Sequence, residues 1–152
     1  MKISNEIMNI VPEVENWRQE LHSHPELGYK EEWTSSFVIE KLESFGIEVH
    51  KGLGKTGVVG VLKGKNAIQG GGGNKAIGLR ADMDALPMTE ENDFSYKSKF
   101  EGRMHACGHD GHTAMLLGAA KMLSSKKDFD GTVYFIFQPA EEGGGGGLAM
   151  IC

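Results

Sequence analysis

Val133-Tyr134-Phe135-Ile136-Phe137, closed by Pro139, is the stretch on which the fold turns. An unbroken β-branched and aromatic run with a proline just beyond it predicts a strand. Upstream, Ala76-Ile77-Gly78-Leu79-Arg80 reads as a second, buried strand that runs into Asp82-Met83-Asp84. Between the two, residues 111–124 read as a helix, with Asp110 placed to cap its first turn. Strand, helix and strand in this order predict an α/β layer with at least some parallel pairing.

Working outward, Ile47-Glu48-Val49-His50 and Gly57-Val58-Val59-Gly60-Val61-Leu62 are short strand patterns punctuated by glycine. Residues 65–74, with four consecutive glycines at 70–73, read as a low-complexity loop without the spaced glycines and following helix of a phosphate cradle. Ile3, Ile7, Ile10, Val14, Trp17 and Leu21 recur at helical spacing, and Pro12 either breaks that helix or begins its second part. A second helix is expected over about 31–45, with Trp33, Phe37, Val38 and Leu42 inward and Gly46 as its C-terminal cap.

The bulk numbers bound the answer. One hundred and fifty-two residues, 39% hydrophobic and 24% charged, suit one soluble globular unit with a real core. A formal charge of −5 offers no basic face for nucleic acid. No apolar run approaches membrane-spanning length, and the first residues lack the apolar core of a signal peptide. Two cysteines, Cys107 and Cys152, are too few for a disulfide framework, so a reducing, cytoplasmic setting is the expectation.

Three polar clusters fall where a strand ends or a helix begins: Asp82-Met83-Asp84, His105-Ala106-Cys107-Gly108-His109-Asp110, and Glu141-Glu142. In open α/β sheets, sites form beyond the carboxyl ends of strands, so clusters distant in sequence can converge there. Cys107 and His109 offer a thiolate and an imidazole that an extended loop or helix entry can turn toward one ion, and Gly108 removes the side chain between them. Thiolate, imidazole and carboxylate suit zinc well and manganese less well. A closed structural zinc site is disfavoured, because only one internal cysteine is present.

Adjacent residues leaving a strand point in different directions. One carboxylate of Glu141-Glu142 can therefore bind metal while the other accepts a proton from water and passes it to a leaving nitrogen. The same pair ahead of five glycines also fits a solvated turn, and residues 143–147 either let backbone approach a ligand or form a loose connector. Asp82 and Asp84 fit a ligand pair, a cap or a turn, with Arg80 near enough to pair with either. His112 shares a helical stripe with Leu116, Ala119 and Leu123 and reads as a packed histidine. His22 and His24 flank a helix end, where a cationic or capping role suffices. Met115 and Met122 belong to the helix's apolar content.

The stretches Trp17-Arg18-Gln19-Glu20-Leu21-His22-Ser23-His24-Pro25-Glu26-Leu27 and Gly78-Leu79-Arg80-Ala81-Asp82-Met83-Asp84-Ala85-Leu86-Pro87 resemble successive blocks of the M20 peptidase family, in its N-acyl-amino-acid amidohydrolase branch. Gly102-Arg103-Met104-His105-Ala106-Cys107-Gly108-His109-Asp110-Gly111-His112-Thr113 and Phe137-Gln138-Pro139-Ala140-Glu141-Glu142-Gly143 are similar to its metal motifs. The resemblance implies that Cys107, His109 and Glu142 are metal ligands and Glu141 the general base. It further implies that Asp84 acts in support and that Cys107 takes a duty that related peptidases give a histidine at the position of Asp82; Asp82 and His112 are expected behind the ligands.

The implied fold is a zinc-peptidase-like α/β mixed sheet with flanking helices, here an incomplete catalytic domain. Members of this family are longer. They carry a lid domain that often dimerises and two further ligand histidines downstream, so residues 1–152 correspond to the first part of the catalytic domain. The implied reaction is hydrolysis of N-acyl amino acids at two divalent ions, zinc or manganese, of which this chain alone would hold at most one, weakly. A homodimer is expected only of the full-length protein. Two other readings compete with this one. The first is a non-catalytic metal-binding domain. The second, a thiol redox or nucleophile role for Cys107, leaves the paired glutamates unexplained.

Overall fold

The computed structural model describes residues 4–65 and 75–152; Ile3 and the 70–73 glycine run lie outside the described residues. The elements run α1 (Asn5–Ser23), α2 (Glu32–Ser44), β1 (Glu48–Leu53), β2 (Gly57–Lys63), β3 (Ala76–Asp82), α3 (His109–Lys126), β4 (Thr132–Gln138) and α4 (Gly146–Ala149). The four strands form one mixed sheet in the order β1-β2-β4-β3. β1 and β2 pair antiparallel, as do β2 and β4, whereas β3 and β4 run parallel with Ile77 beside Val133 and Asp82 beside Gln138. The expected parallel pair joined through a helix is therefore present.

β4 is central because its residues can fill a core. Val133, Phe135 and Phe137 are buried on one face, together with Val58 and Leu62 of β2. Trp17 and Leu21 of α1, Phe37, Val38 and Leu42 of α2, and Ala114, Leu117 and Ala120 of α3 pack into the same cluster. This burial of aromatic and aliphatic surface is the main source of stability. β3 departs from expectation: among the described residues it is an edge strand, Ile77 is 56% exposed, and of its apolar residues only Ala81 is buried. An apolar run identifies a strand but carries no information about its place in the sheet.

α1 continues straight through Pro12. Pro12 costs the helix its bond to the Met8 carbonyl, but both residues face solvent, where water can meet the freed group. α2 is capped from a distance: the Glu26 carboxylate accepts the N–H groups of Trp33 and Thr34 at 3.1 and 2.8 Å. Gly46 follows its end at φ +71°, as a C-terminal cap requires. α3 begins at His109, two residues earlier than expected, behind Gly108 at φ +94°. Asp110 therefore lies inside the first turn; one of its oxygens accepts the Gly111 N–H at 2.8 Å, and the other turns away to His22. Among the described residues, no helix is long and apolar enough to cross a membrane.

Candidate metal centre

The parallel register of β3 and β4 decides where the polar clusters go. Both strands end at the same edge, and the Met83 N–H donates to the Gln138 carbonyl at 2.9 Å just beyond the ladder. Leu86 and Met104 then exchange backbone hydrogen bonds at 3.0 and 3.1 Å. That clasp brings the loop carrying Cys107 back beside the end of β3, and α3 starts there.

Cys107, His109 and Glu142 consequently present one ligand atom each, all within 4.8 Å of one another. The His109 Nδ1 donates to the Asp84 backbone carbonyl at 2.8 Å and lies 3.3 Å from the Asp84 carboxylate. With Nδ1 engaged, Nε2 is the atom left to bind a cation. It faces both Glu141 and Glu142, each at 3.9 Å. The other Asp84 oxygen accepts the Glu142 N–H at 3.0 Å, so this buried carboxylate links the histidine to the Glu-Glu turn.

The charged groups of this cluster shift one another. The Asp84 carboxylate raises His109 to about 9, against the opposing effect of burial. Burial pushes Asp84 up, but the His109 hydrogen bond and the Glu142 and Glu141 N–H groups outweigh it and leave the carboxyl below its usual value. The hydrogen bond to Glu142, then burial, push the Cys107 thiol up. A thiolate here calls for compensating positive charge, and the sulfur, nitrogen and oxygen donors fit zinc, with manganese a harder alternative.

The Glu-Glu turn is held under strain. Ala140 adopts φ +48°, uncommon for a residue with a Cβ, and its N–H donates to Glu31 at 2.9 Å. Glu31 is fully buried, and its second oxygen accepts the Thr56 hydroxyl at 2.6 Å. Part of the following glycine run is a packed seat: a Cβ at Gly146 would stand 1.6 Å from the Pro139 carbonyl oxygen, and the Tyr29 hydroxyl donates to the Gly144 carbonyl at 2.5 Å, while Gly143 and Gly145 face open space. The approach of backbone to a ligand was one reading of this run; the close contacts present are to the protein's own turn.

Asp82 is forked by Arg80 at 2.6 and 3.0 Å, and it also stands within ligand distance of His109 and His112. His112 is exposed, not packed: on its stripe Leu116 is buried in the core, and His112 lies in the first turn of α3, beyond that cover. Met115 is likewise 62% exposed. His24 meets its expectation, donating to the Glu20 carbonyl at 3.0 Å and stacking on Trp33. His22 exceeds its own: far from a simple helix-end cation, it is buried between Asp110 at 2.7 Å and Glu90 at 3.0 Å. Sequence reading missed Glu31 and Glu90 as buried carboxylates. His105 is buried as well, and burial lowers it to about 4.

A mixed α/β layer thus delivers sulfur, imidazole and carboxylate donors to the carboxyl ends of its parallel strands. The chain belongs to the M20 peptidase family: residues 78–152 match the model of peptidase family M20/M25/M40, and close relatives align along nearly all of it. It is 53% identical to a hippurate hydrolase of Campylobacter jejuni, over 99% of this chain and 38% of that protein. It is 49% identical to an N-acyl-L-amino acid amidohydrolase of Geobacillus stearothermophilus, over 90% of this chain and 37% of the relative. A solved Bacillus subtilis structure, described as a dinuclear metal binding peptidase from the M20 family, superposes with a TM-score of 0.86 at 38% identity, covering 97% of this chain and 40% of its own. The chain thus spans less than two fifths of the length of the curated relatives it matches.

Proposed function

We propose that the protein is a metal-dependent amidohydrolase that cleaves the amide bond of N-acyl amino acids. The observation that carries this reading is the donor set Cys107, His109 and Glu142 with a second carboxylate, Glu141, beside it. Cys107, His109 and Glu142 would hold the cation, zinc or manganese. When bound, a divalent cation polarises the scissile carbonyl and acidifies the attacking water. Glu141, 40% exposed at its side chain and 3.9 Å from His109, takes the proton from that water and returns it to the leaving nitrogen. Asp84 fixes the His109 tautomer, while Asp82 and His112 flank the site.

The reading extends to the longer protein. Residues 1–152 are the first part of a catalytic domain, completed by later segments that add a lid, the remaining ligands of a two-ion centre and a homodimer contact. On its own this chain holds at most one ion, weakly. A cytoplasmic setting, where Cys107 stays reduced, suits a thiolate ligand.

The test is amine release from hippurate and N-acetyl amino acids, measured beside metal content. Expected are turnover by a polypeptide of the relatives' length, its loss in Glu141→Gln with metal retained, and loss of metal in Cys107→Ala. Metal binding without turnover on any N-acyl amino acid, at full length, would establish the non-catalytic metal-binding alternative. Turnover by the 152-residue chain itself would overturn the two-part reading and leave the chemistry standing.

A further inference from the structure

We infer that His22 is a positioning residue: by clamping Asp110 it holds the Cys107-Gly108-His109 turn in ligand geometry. The inference rests on the metal reading above. His22 sits in the last turn of α1, and its ring is buried. Its Nδ1 donates to Asp110 Oδ2 at 2.7 Å and its Nε2 to Glu90 Oε1 at 3.0 Å. Arg18, one turn earlier, reaches the same Asp110 oxygen at 2.9 Å. Glu90 is tied in turn to the Ser98 N–H at 2.6 Å. Phe94 and Tyr96 close over the imidazole at ring-centroid distances of 5.6 and 5.8 Å.

Three segments far apart in sequence therefore meet at one imidazole, and the one on α3 is the residue next to His109. Gly108, at φ +94°, gives the turn no conformational restraint of its own, so its placement must come from its ends. One end is the backbone clasp between Leu86 and Met104, and the other is Asp110. His109 keeps its bond to the Asp84 carbonyl and Arg18 its contact with Asp110, so loss of the His22 hold loosens the turn chiefly at Cys107 and lets its sulfur move away from Glu142. Groups that orient ligands from behind typically change metal affinity by about 10–100-fold when removed.

The experiment is a Co²⁺ titration of the 152-residue chain, following thiolate-to-cobalt charge-transfer absorption, for the parent, Cys107→Ser, His22→Asn and His22→Gln. Asparagine places its amide nitrogen near the imidazole Nδ1 and keeps the bond to Asp110. Glutamine places its nitrogen near Nε2 and keeps only the bond to Glu90. Both delete the ring and one hydrogen bond, so packing loss is matched. Expected is about tenfold weaker Co²⁺ binding in His22→Gln and an affinity close to the parent's in His22→Asn. Equal weakening in both, equal loss of folded protein in both, or no weakening in either overturns the positioning role. Absence in the parent of an absorption that Cys107→Ser removes would instead overturn the metal reading itself.

Discussion

His22 is an imidazole between two carboxylates, and the stability it confers has a defined pH window. The hydrogen bond to Asp110 raises its pKa against the cost of burial, with Glu90 adding to the rise. A raised histidine stabilises fully below its unfolded value of about 6.5 and loses that contribution as pH climbs through the folded value. Burial alone would raise Asp110 and Glu90, but the His22 hydrogen bond brings both below their ordinary values. Their contribution is present above about pH 4 and is lost as pH falls through the depressed values. Both conditions hold between about pH 4.5 and 6.5. In metal-free protein, the Tm difference between the parent and His22→Gln should be widest in that window and narrow on both sides; a difference independent of pH would show that the pairing is not its source. Cys107 allows a second reading at this scale. It and Cys152 are both exposed free thiols, so Cys152 is an internal control. Zinc should protect Cys107 from iodoacetamide by about tenfold or more and leave Cys152 unaffected, since only a ligated thiolate is withdrawn from attack; equal rates with and without zinc would remove Cys107 from the ligand set.

The turn after β4 shows how an element is placed by contacts that no local pattern encodes. Glu31 lies 109 residues from the Ala140 N–H it accepts, and His22 lies 88 residues from Asp110. The strands, the helices and the Cys-His and Glu-Glu motifs were legible, because period and spacing are local properties. The sheet order was not, so the apolar run of β3 read as buried when it is an edge. His112 was read as packed for a related reason: helical spacing places it on one stripe with Leu116, which is buried, but does not say how far along α3 the cover extends. The packed seat of the Glu-Glu turn is testable by two adjacent glycines. A Cβ at Gly146 meets the Pro139 backbone, whereas a Cβ at Gly147 meets only the Gln138 side chain at 3.0 Å, which can move. Urea unfolding should show Gly146→Ala less stable by about 2 kcal/mol or more, the cost of forcing an atom into packed backbone. Gly147→Ala, within helical α4, should be near neutral. Equal effects would mean that the glycine run is a loose connector after all.

At the scale of the whole molecule, one side of the layer is uncovered among the described residues. A groove of about 700 Å³ runs between α1 and α3, lined by Ile7, Val11, Met115 and Met122. A second depression, which shares Leu123 with it, is lined by Ile77 on β3, whose outer edge pairs with no described strand. Ile7, Met8, Val11, Ile77 and Met115 are each more than 40% exposed. A free strand edge beside contiguous apolar surface is a template for association, because water satisfies neither the apolar atoms nor the ladder's geometry as well as another protein surface does. The 152-residue chain should therefore form dimers or larger species as its concentration rises, read by sedimentation velocity. Ile77→Lys places a charge on the edge, and Met115→Glu places one in the groove; neither side chain is in the core cluster, so thermal stability should hardly change. The double variant should sediment as a monomer at concentrations where the parent associates. If the two sediment alike as oligomers, the contact lies elsewhere on the surface. If the parent stays monomeric throughout, this strip is already well enough hydrated to need no cover.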